Sequence, residues 1–300
     1  MRAIAVLSVL LIATGCAAEP PSRAPELPPL PAGARPFELF RRADLTQIDQ
    51  ADRALFNDCL ADNGYPQERA LGNQPVAAVA GLSRPPISPR TEAEARKYGF
   101  GTALPAEPAA IDRKDPAFFA VAGRCETTAR SALGVPIEVA GLRDRYAQLG
   151  NALVQERARK VETILVAHSK KLAACLAGRG HRLQTGATFS ARGDLKQFGV
   201  ALGTHTPAKP LAVRRPDGLP AEVQIKPAVP AREYRPSKAE AAFAVSFVRC
   251  GRQSGLFAAI DRDERAIEQQ IVERHVAEFS GLNPQIEAMA AKAREVLRGR

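Results

Sequence analysis

Along residues 141–180 the apolar positions fall at Leu142, Tyr146, Leu149 and Leu153, then at Val161, Leu165, Leu172 and Leu176. Most are three, four or seven apart, the spacing that lines up side chains on one face of a helix. Gln155, Glu156, Arg157, Arg159 and Lys160 lie between the two runs and read as a solvated face, with Glu156 and Lys160 one turn apart. Gly178 and Gly180 supply the stop, because glycine enters the left-handed conformation without steric cost. This long helix is expected to join two similar helical halves.

In the half before it (44–140), Asp44 and Gln47 form a capping-box pattern that opens a helix carrying Leu45, Ile48, Leu55, Phe56, Cys59 and Leu60, ended by Asn63-Gly64. Residues 66–90 are rich in proline and glycine and read as irregular. Thr91 and Glu94 make a second capping box, for a short helix ending at Tyr98-Gly99-Phe100. Asp115-Pro116 opens a third helix, with proline at the first helical position, and this one holds Phe118, Phe119, Val121, Cys125 and Leu133.

The half after it (181–300) repeats this order. Cys175, Gly180 and His181 echo Cys59, Gly64 and Tyr65, and Phe198-Gly199 echoes Tyr98-Gly99. Ala242-Phe243-Ala244-Val245 leading to Arg249-Cys250 echoes Phe118-Phe119-Ala120-Val121 leading to Arg124-Cys125. The main insertion is 204–236. Its Pro-Asp-Gly within Val213–Gly218, with Val223 and Ile225 alternating beyond, predicts a small β-hairpin. Ser237 and Glu240 form a third capping box, for the helix of Phe243, Phe247 and Cys250. A closing helical pattern runs through Ile260, Ile267, Ile271, Val276 and Phe279, breaks at Asn283-Pro284, and resumes with Ile286, Met289, Ala293 and Val296; it is expected to lie along the 141–178 helix. The sum is a mainly α fold of two similar halves joined by a long helix.

Composition fits such a fold. The chain is 45% hydrophobic but only 5% aromatic, with no tryptophan, so its core must be built from Ala, Leu, Val, Ile and Phe. The formal charge of +10 would suggest nucleic acid for an intracellular protein, but the N-terminus argues for export and so against that partner. Arg2 precedes the apolar run Ala3–Ile12, too short to span a bilayer, and Ala13-Thr14-Gly15-Cys16 resembles the bacterial lipobox. Residues 1–16 read as a lipoprotein signal peptide with Cys16 as the lipidated residue, although small residues before a cleavage site also suit an ordinary secretory signal. The proline-rich stretch 17–43 reads as a stiff tether. Its first twenty residues could reach about 60 Å at ~3.1 Å per residue.

Cys59, Cys125, Cys175 and Cys250 remain, an even number that permits three pairings in an exported protein. Pairing within halves, Cys59 with Cys125 and Cys175 with Cys250, is the economical choice. No Cys-x-x-Cys occurs, so a zinc ribbon or a thioredoxin-like motif has no support.

Together these landmarks resemble a group of uncharacterised extracytoplasmic lipoproteins from actinobacteria with paired Cys-x4-Gly units. The elements that carry the resemblance are Cys59-Gly64-Tyr65, Tyr98-Gly99, Gly123-Arg124-Cys125, Cys175-Gly180-His181 and Cys250. Leucine follows Cys59 and Cys175 where methionine is common in the group, and no tryptophan precedes Cys175. The resemblance implies architecture and an extracytoplasmic location, and no activity.

Groups for catalysis are few. His168 and His275 sit near the apolar stripes of long helices and read as packed; His181 takes the place of Tyr65 as a packing ring; His205, in the insertion, reads as solvated. His275 and Glu278 could share a metal, but two ligands do not make a site. No serine-nucleophile, zinc-protease or phosphate-loop motif occurs, and no cofactor site is expected. The leading expectation is a non-catalytic lipoprotein held at the outer face of the cell membrane through Cys16, binding an anionic wall polymer, lipid headgroups or an envelope protein. One alternative is a small-molecule carrier with a pocket between the halves, lined by Phe118, Phe119, Phe243 and Phe247. The other is a wall hydrolase drawing carboxylates from Asp58, Asp62, Asp194 or Asp217.

Overall fold

A helix of 43 residues, α5 (Pro136–Gly178), is the axis of the protein in the computed structural model. The structure describes residues 27, 30, 33–71, 79, 82, 89–107, 109–113, 115–185, 195–212 and 223–299. At 1.5 Å per residue α5 is about 65 Å long, too long for one core, and its two apolar runs serve two. Val139, Leu142, Tyr146, Leu149 and Leu153 pack with a 3-10 turn at Pro36–Leu39, with α1 (Arg42–Asp62), with the second half of α7 (Leu256–Arg274) and with α8 (Val276–Arg298). Val161, Leu165, Leu172 and Leu176 pack with α3 (Glu92–Tyr98), α6 (Lys238–Gln253) and the first half of α7.

Arg157 lies at the seam between the cores. It is buried rather than solvated, because α7 brings the wholly buried Glu268 to within 3.6 Å of its Nη1. Its guanidinium lies 5.5 Å over the Phe37 ring and donates to the Leu82 carbonyl at 3.3 Å. Arg35 completes the cluster, donating to Glu264 at 2.6 Å and to Glu268. Burial lowers the Arg157 pKa from the usual arginine value, with Glu268 opposing. Removing Glu268 would leave the buried Arg157 charge without its carboxylate, a loss of about 3–5 kcal/mol.

The helix ends follow local rules with instructive departures. Gly64 and Gly180 both take positive φ, and the following N–H groups, of Tyr65 and His181, reach back to the Leu60 and Leu176 carbonyls at 3.0 and 2.9 Å. That is the same six-to-one closure in both halves; Gly178 stays inside α5. The Thr91–Glu94 capping box forms in both directions, and Asp115 caps α4 (Pro116–Ser131) by accepting from Ala117 and Phe118. Asp44 does not cap α1. The helix begins earlier, at Arg42, and Asp44 and Gln47 instead accept from Arg294 of α8 at 3.1 and 3.0 Å.

Ser237 accepts from the Glu240 N–H at 3.0 Å, but the carboxylate does not return the bond. It is fully buried and accepts from the Phe100 N–H (2.9 Å), the Gly203 N–H (2.6 Å) and the Tyr234 hydroxyl (2.7 Å). A side chain on Gly101 would lie 2.1 Å from the Tyr234 ring, so glycine is required for this approach.

The closing helices also differ from expectation. The break falls at His275, and Pro284 sits inside α8. Asn283, preceding that proline, accepts from the Tyr146 hydroxyl at 2.6 Å and donates to the Leu39 carbonyl at 3.0 Å. As expected α7 lies along α5, whereas α8 turns back chiefly onto α1.

Disulfides join Cys59 to Cys125 and Cys175 to Cys250, with Cα–Cα distances of 5.4 and 5.6 Å. The first ties α1 to α4, the second the end of α5 to α6. The segments between exchange partners: α3, from the first half, packs on α6 of the second. Within the insertion, β2 (Thr204–His205) pairs antiparallel with β4 (Tyr234–Arg235). The alternating stretch beyond the turn, β3 (Gln224–Lys226), pairs instead with β1 (Ala110–Asp112) of the first half, Ile111 opposite Ile225. The turn itself, Val213–Gly218, lies outside the described residues. Residues 66–90 begin with a short helix, α2 (Gln67–Leu71).

Candidate functional site

Each disulfide brings the ring after its glycine onto the second cysteine helix. Tyr65 meets Phe118 edge-on at 5.1 Å, and His181 meets Phe243 edge-on at 4.9 Å. Phe118 and Phe243 stand at the same distance before Cys125 and Cys250, so the cysteines set the register and Phe243 corresponds to Phe118, not to Phe119. One turn further on, α6 presents Phe247 and Val248, both buried, where α4 has Ala122 and Gly123. Counting back from the other cysteines, α5 places Leu165 and Leu172 where α1 has Asp49 and Phe56. The second unit therefore has large apolar groups at all four positions, whereas the first keeps one, Phe56, and has Asp49, Ala122 and Gly123 at the other three. The space left over is a cleft of about 570 Å³ between α1, α4 and α5.

Ala122 and Gly123 from α4 and Phe56 from α1 line this cleft, with Phe119, 58% exposed. Its charged residues are Asp49, Asp52 and Arg53 of α1, Glu126 of α4 and Arg143 of α5. Arg143 forks across the two aspartates, donating to Asp49 Oδ1 at 2.9 and 2.6 Å and to Asp52 Oδ2 at 2.5 Å. Burial pushes the Asp49 carboxyl above its ordinary pKa, with Arg143 opposing. Burial also works against the Arg143 charge, but the two carboxylates outweigh it and raise its pKa. Glu126 pairs with Arg130. Asp52 Oδ1 is buried and accepts no hydrogen bond from the described residues.

Other proposed groups are not brought together. Asp58 and Asp62 lie on one helix and share Arg69, at 3.2 and 2.7 Å, so they do not face each other across a cleft. Asp194 and Asp217 lie outside the described residues, as does Cys16. Phe118 and Phe119 belong to the first unit, whereas Phe243 and Phe247 are buried in the second core with Phe100, Phe198 and Phe257. The four do not line one pocket.

His168 is held by the Ser254 carbonyl at 2.9 Å. His205 is not freely solvated: it bonds the Thr102 carbonyl at 3.1 Å and meets the Tyr234 ring edge-on. His275 sits between Glu156 (2.9 Å) and Glu278 (3.2 Å), and Arg274 also takes Glu156, which is therefore not paired with Lys160. Among the described residues no group of three or more His, Cys, Asp or Glu could hold a metal, and no helix is long and apolar enough to cross a membrane.

The face of α5 opposite the second core is basic. Arg159, Lys160, Lys170 and Lys171 are exposed there, and Arg179 and Arg182 are exposed just past the helix end. Glu162 is the one acid in this stretch, and none of the six cations has an acidic partner among the described residues. Val166, 60% exposed, lies among them. From Arg159 to Arg179 these cations are spread over about 30 Å of the helix axis at 1.5 Å per residue. No known protein family, curated protein or solved structure matches this chain.

Proposed function

We propose that the protein is a non-catalytic lipoprotein, anchored at the outer face of the cell membrane through lipid on Cys16, that holds an anionic envelope polymer along the basic face of α5. The six exposed cations along α5 and at its end, none with an acidic partner among the described residues, carry the reading. Exposed cations paired with acids are largely neutralised; these have no acidic partner among the described residues, so their fields add over a length of about 30 Å. They are strung along a rod and do not converge on a point. That arrangement suits a chain of repeated phosphates or carboxylates better than a compact anion. Leu27, Leu30 and residues 35–43 belong to the folded part, so the expected tether of 17–43 shortens to the proline-rich residues 17–26, which would give such a face reach away from the lipid.

The test is titration of the mature protein with a glycerol-phosphate polymer at about 50 and about 200 mM salt. Affinity is expected to fall tenfold or more between the two, because displaced counterions and screening both weaken the contact. Reversing Lys160, Lys170 and Lys171 to Glu should remove binding with the fold intact. Binding that ignores both salt and charge reversal would overturn the polymer reading. Intact-mass measurement on protein purified from membranes tests the anchor separately: Cys16 should carry the added mass of acyl chains, and an unmodified cysteine would overturn that part.

A further inference from the structure

We propose that the cleft between α1, α4 and α5 is a second binding site, which takes one uncharged aromatic ring against a face of Arg143. The ion-paired arginines point to it. Among the described residues, four arginines that pair with carboxylates keep less than a quarter of the side chain exposed: Arg90, Arg113, Arg143 and Arg157. Three of them also lie over rings. Arg113 stands 4.5 Å from the centre of Tyr65 and 5.0 Å from that of Phe118, Arg90 4.7 Å from Phe257, and Arg157 5.5 Å from Phe37. Carboxylates take the edges of a guanidinium and leave its weakly hydrated flat faces, which the negative face of a ring attracts.

Arg143 has the carboxylates and not the ring. Its Nε and Nη2 donate to Asp49 Oδ1 at 2.9 and 2.6 Å, and its Nη1 to Asp52 Oδ2 at 2.5 Å, all at the edges of the group. No ring of the described residues lies over it, and it lines the cleft. The other unit shows what such a place houses. Where the cleft is lined by Ala122 and Gly123, α6 carries Phe247 and Val248, and Phe247 packs on Phe100 and Phe257 at 5.3 and 6.2 Å. A side chain on Gly123 would meet nothing within 4 Å. The volume of about 570 Å³ takes a ring and the atoms that carry it, and Phe56 and Phe119 offer further ring contacts.

The charges select against other ligands. Asp49 and Asp52 are held by Arg143 and Glu126 by Arg130, so an ammonium finds no free acid among them. The same three carboxylates disfavour an anion. An aliphatic group would fill space but gain nothing from the guanidinium. A neutral ring, negative on its face and positive at its edge, suits both Arg143 and the carboxylates that flank it.

The experiment follows amide and methyl NMR shifts of the full folded protein during titration with Nα-acetyl-phenylalanine methylamide, its cyclohexylalanine counterpart and benzyl alcohol. The phenylalanine derivative should shift resonances of α1 and α4 and bind at least about threefold more tightly than the cyclohexyl one, although the latter is the more apolar. Tighter binding of the phenylalanine derivative than of benzyl alcohol assigns the site to peptide side chains; equal or weaker binding assigns it to free aromatic molecules, and both support the aromatic class. Arg143→Lys keeps a charge beside Asp49 and Asp52 but has no flat face, so it should erase the preference for phenyl over cyclohexyl. Ala122→Phe, which sets the second unit's ring in the cleft, should abolish binding while leaving both disulfides and polymer binding on α5 intact. Cyclohexyl binding as tight as phenyl, a preference that survives Arg143→Lys, Ala122→Phe binding unchanged, or no shift confined to the cleft with any probe would each overturn the proposal. Polymer binding by the same samples distinguishes its failure from failure of the α5 reading.

Discussion

The two disulfide units start alike and end differently. Each begins with a cysteine helix closed by a left-handed glycine, turns a ring against the next cysteine helix, and locks with a bridge. The second unit goes on to bury Phe243, Phe247 and Val248 under α3 and α7, with Phe100, Phe198 and Phe257 filling the remaining space. The first has Ala122 and Gly123 at the matching turn and aspartate on the facing helix, and stays open. Its aromatic pair is covered by Arg113, stacked 4.5 Å over Tyr65 and 5.0 Å over Phe118 and donating to Glu68 at 3.2 Å. The bridge and the turn thus fix the position of two helices but not whether they enclose a core or a cleft. That depends on side-chain volume one turn away.

The sharpest way to break this contrast is to truncate one ring in each unit. Phe243→Ala should cost about 3–5 kcal/mol, measured by urea denaturation, because the ring is fully buried and the surroundings cannot collapse onto it. Phe119→Ala, at the cleft rim, should cost less than about 0.5 kcal/mol. Equal losses would mean that the first unit is as closely packed as the second.

Next in size is Glu240→Ala, at about 3 kcal/mol. It strips the acceptor from the Phe100 N–H and the Tyr234 hydroxyl and leaves the Gly203 N–H with that hydroxyl alone; these part-buried groups hold the second unit's loops together. Burial and the bond to Glu240 push the Tyr234 hydroxyl up to about 12. An ultraviolet titration should see that pKa fall in the variant, a change that a general loss of stability would not single out.

Transplanting the second unit's pair into the first gives a smaller effect. Gly123→Val with Ala122→Phe should change stability by less than about 1 kcal/mol, with a gain favoured because glycine is a poor helix former. A loss of several kcal/mol would show that the cleft has no room for the rings that fill its counterpart.

The smallest effect concerns His275, at the joint between α7 and α8. Burial works against its protonated form, but the bonds to Glu156 and Glu278 outweigh this and raise its pKa above 6.5. A raised histidine pKa stabilises the fold fully below the unfolded value, and that contribution is lost as pH rises through the folded one. Stability should therefore fall modestly from about pH 6 to about pH 8, and His275→Gln should flatten that fall. An unchanged slope in the variant would assign it to another group.

Much of the local grammar was legible. The apolar stripe gave α5 and its buried residues, the Thr91 and Asp115 caps formed as their spacing implied, and the even cysteines paired within halves. The cleft was legible in principle: matching the halves from their cysteines, rather than from the Phe-Ala-Val string, sets Phe247 opposite Ala122 and Leu165 opposite Asp49. Arg143 carried no such signal, because its role depends on which helix lies beside it.

The sequence alone determined which faces are apolar and where several helices start and stop, as at Gly64, Thr91, Asp115 and Gly180, because these depend on periodicity and short-range hydrogen bonding. Only the tertiary structure decided what lies opposite each face. Arg157 is buried because α7 places Glu268 against it. Glu240 leaves its cap because two loops distant in sequence present donors. α3 crosses to the other unit, and Pro284 is carried within α8 while Asn283 is engaged by Tyr146 and Leu39. Each outcome is a competition among partners far apart in the chain, and periodicity carries no information about which partner wins.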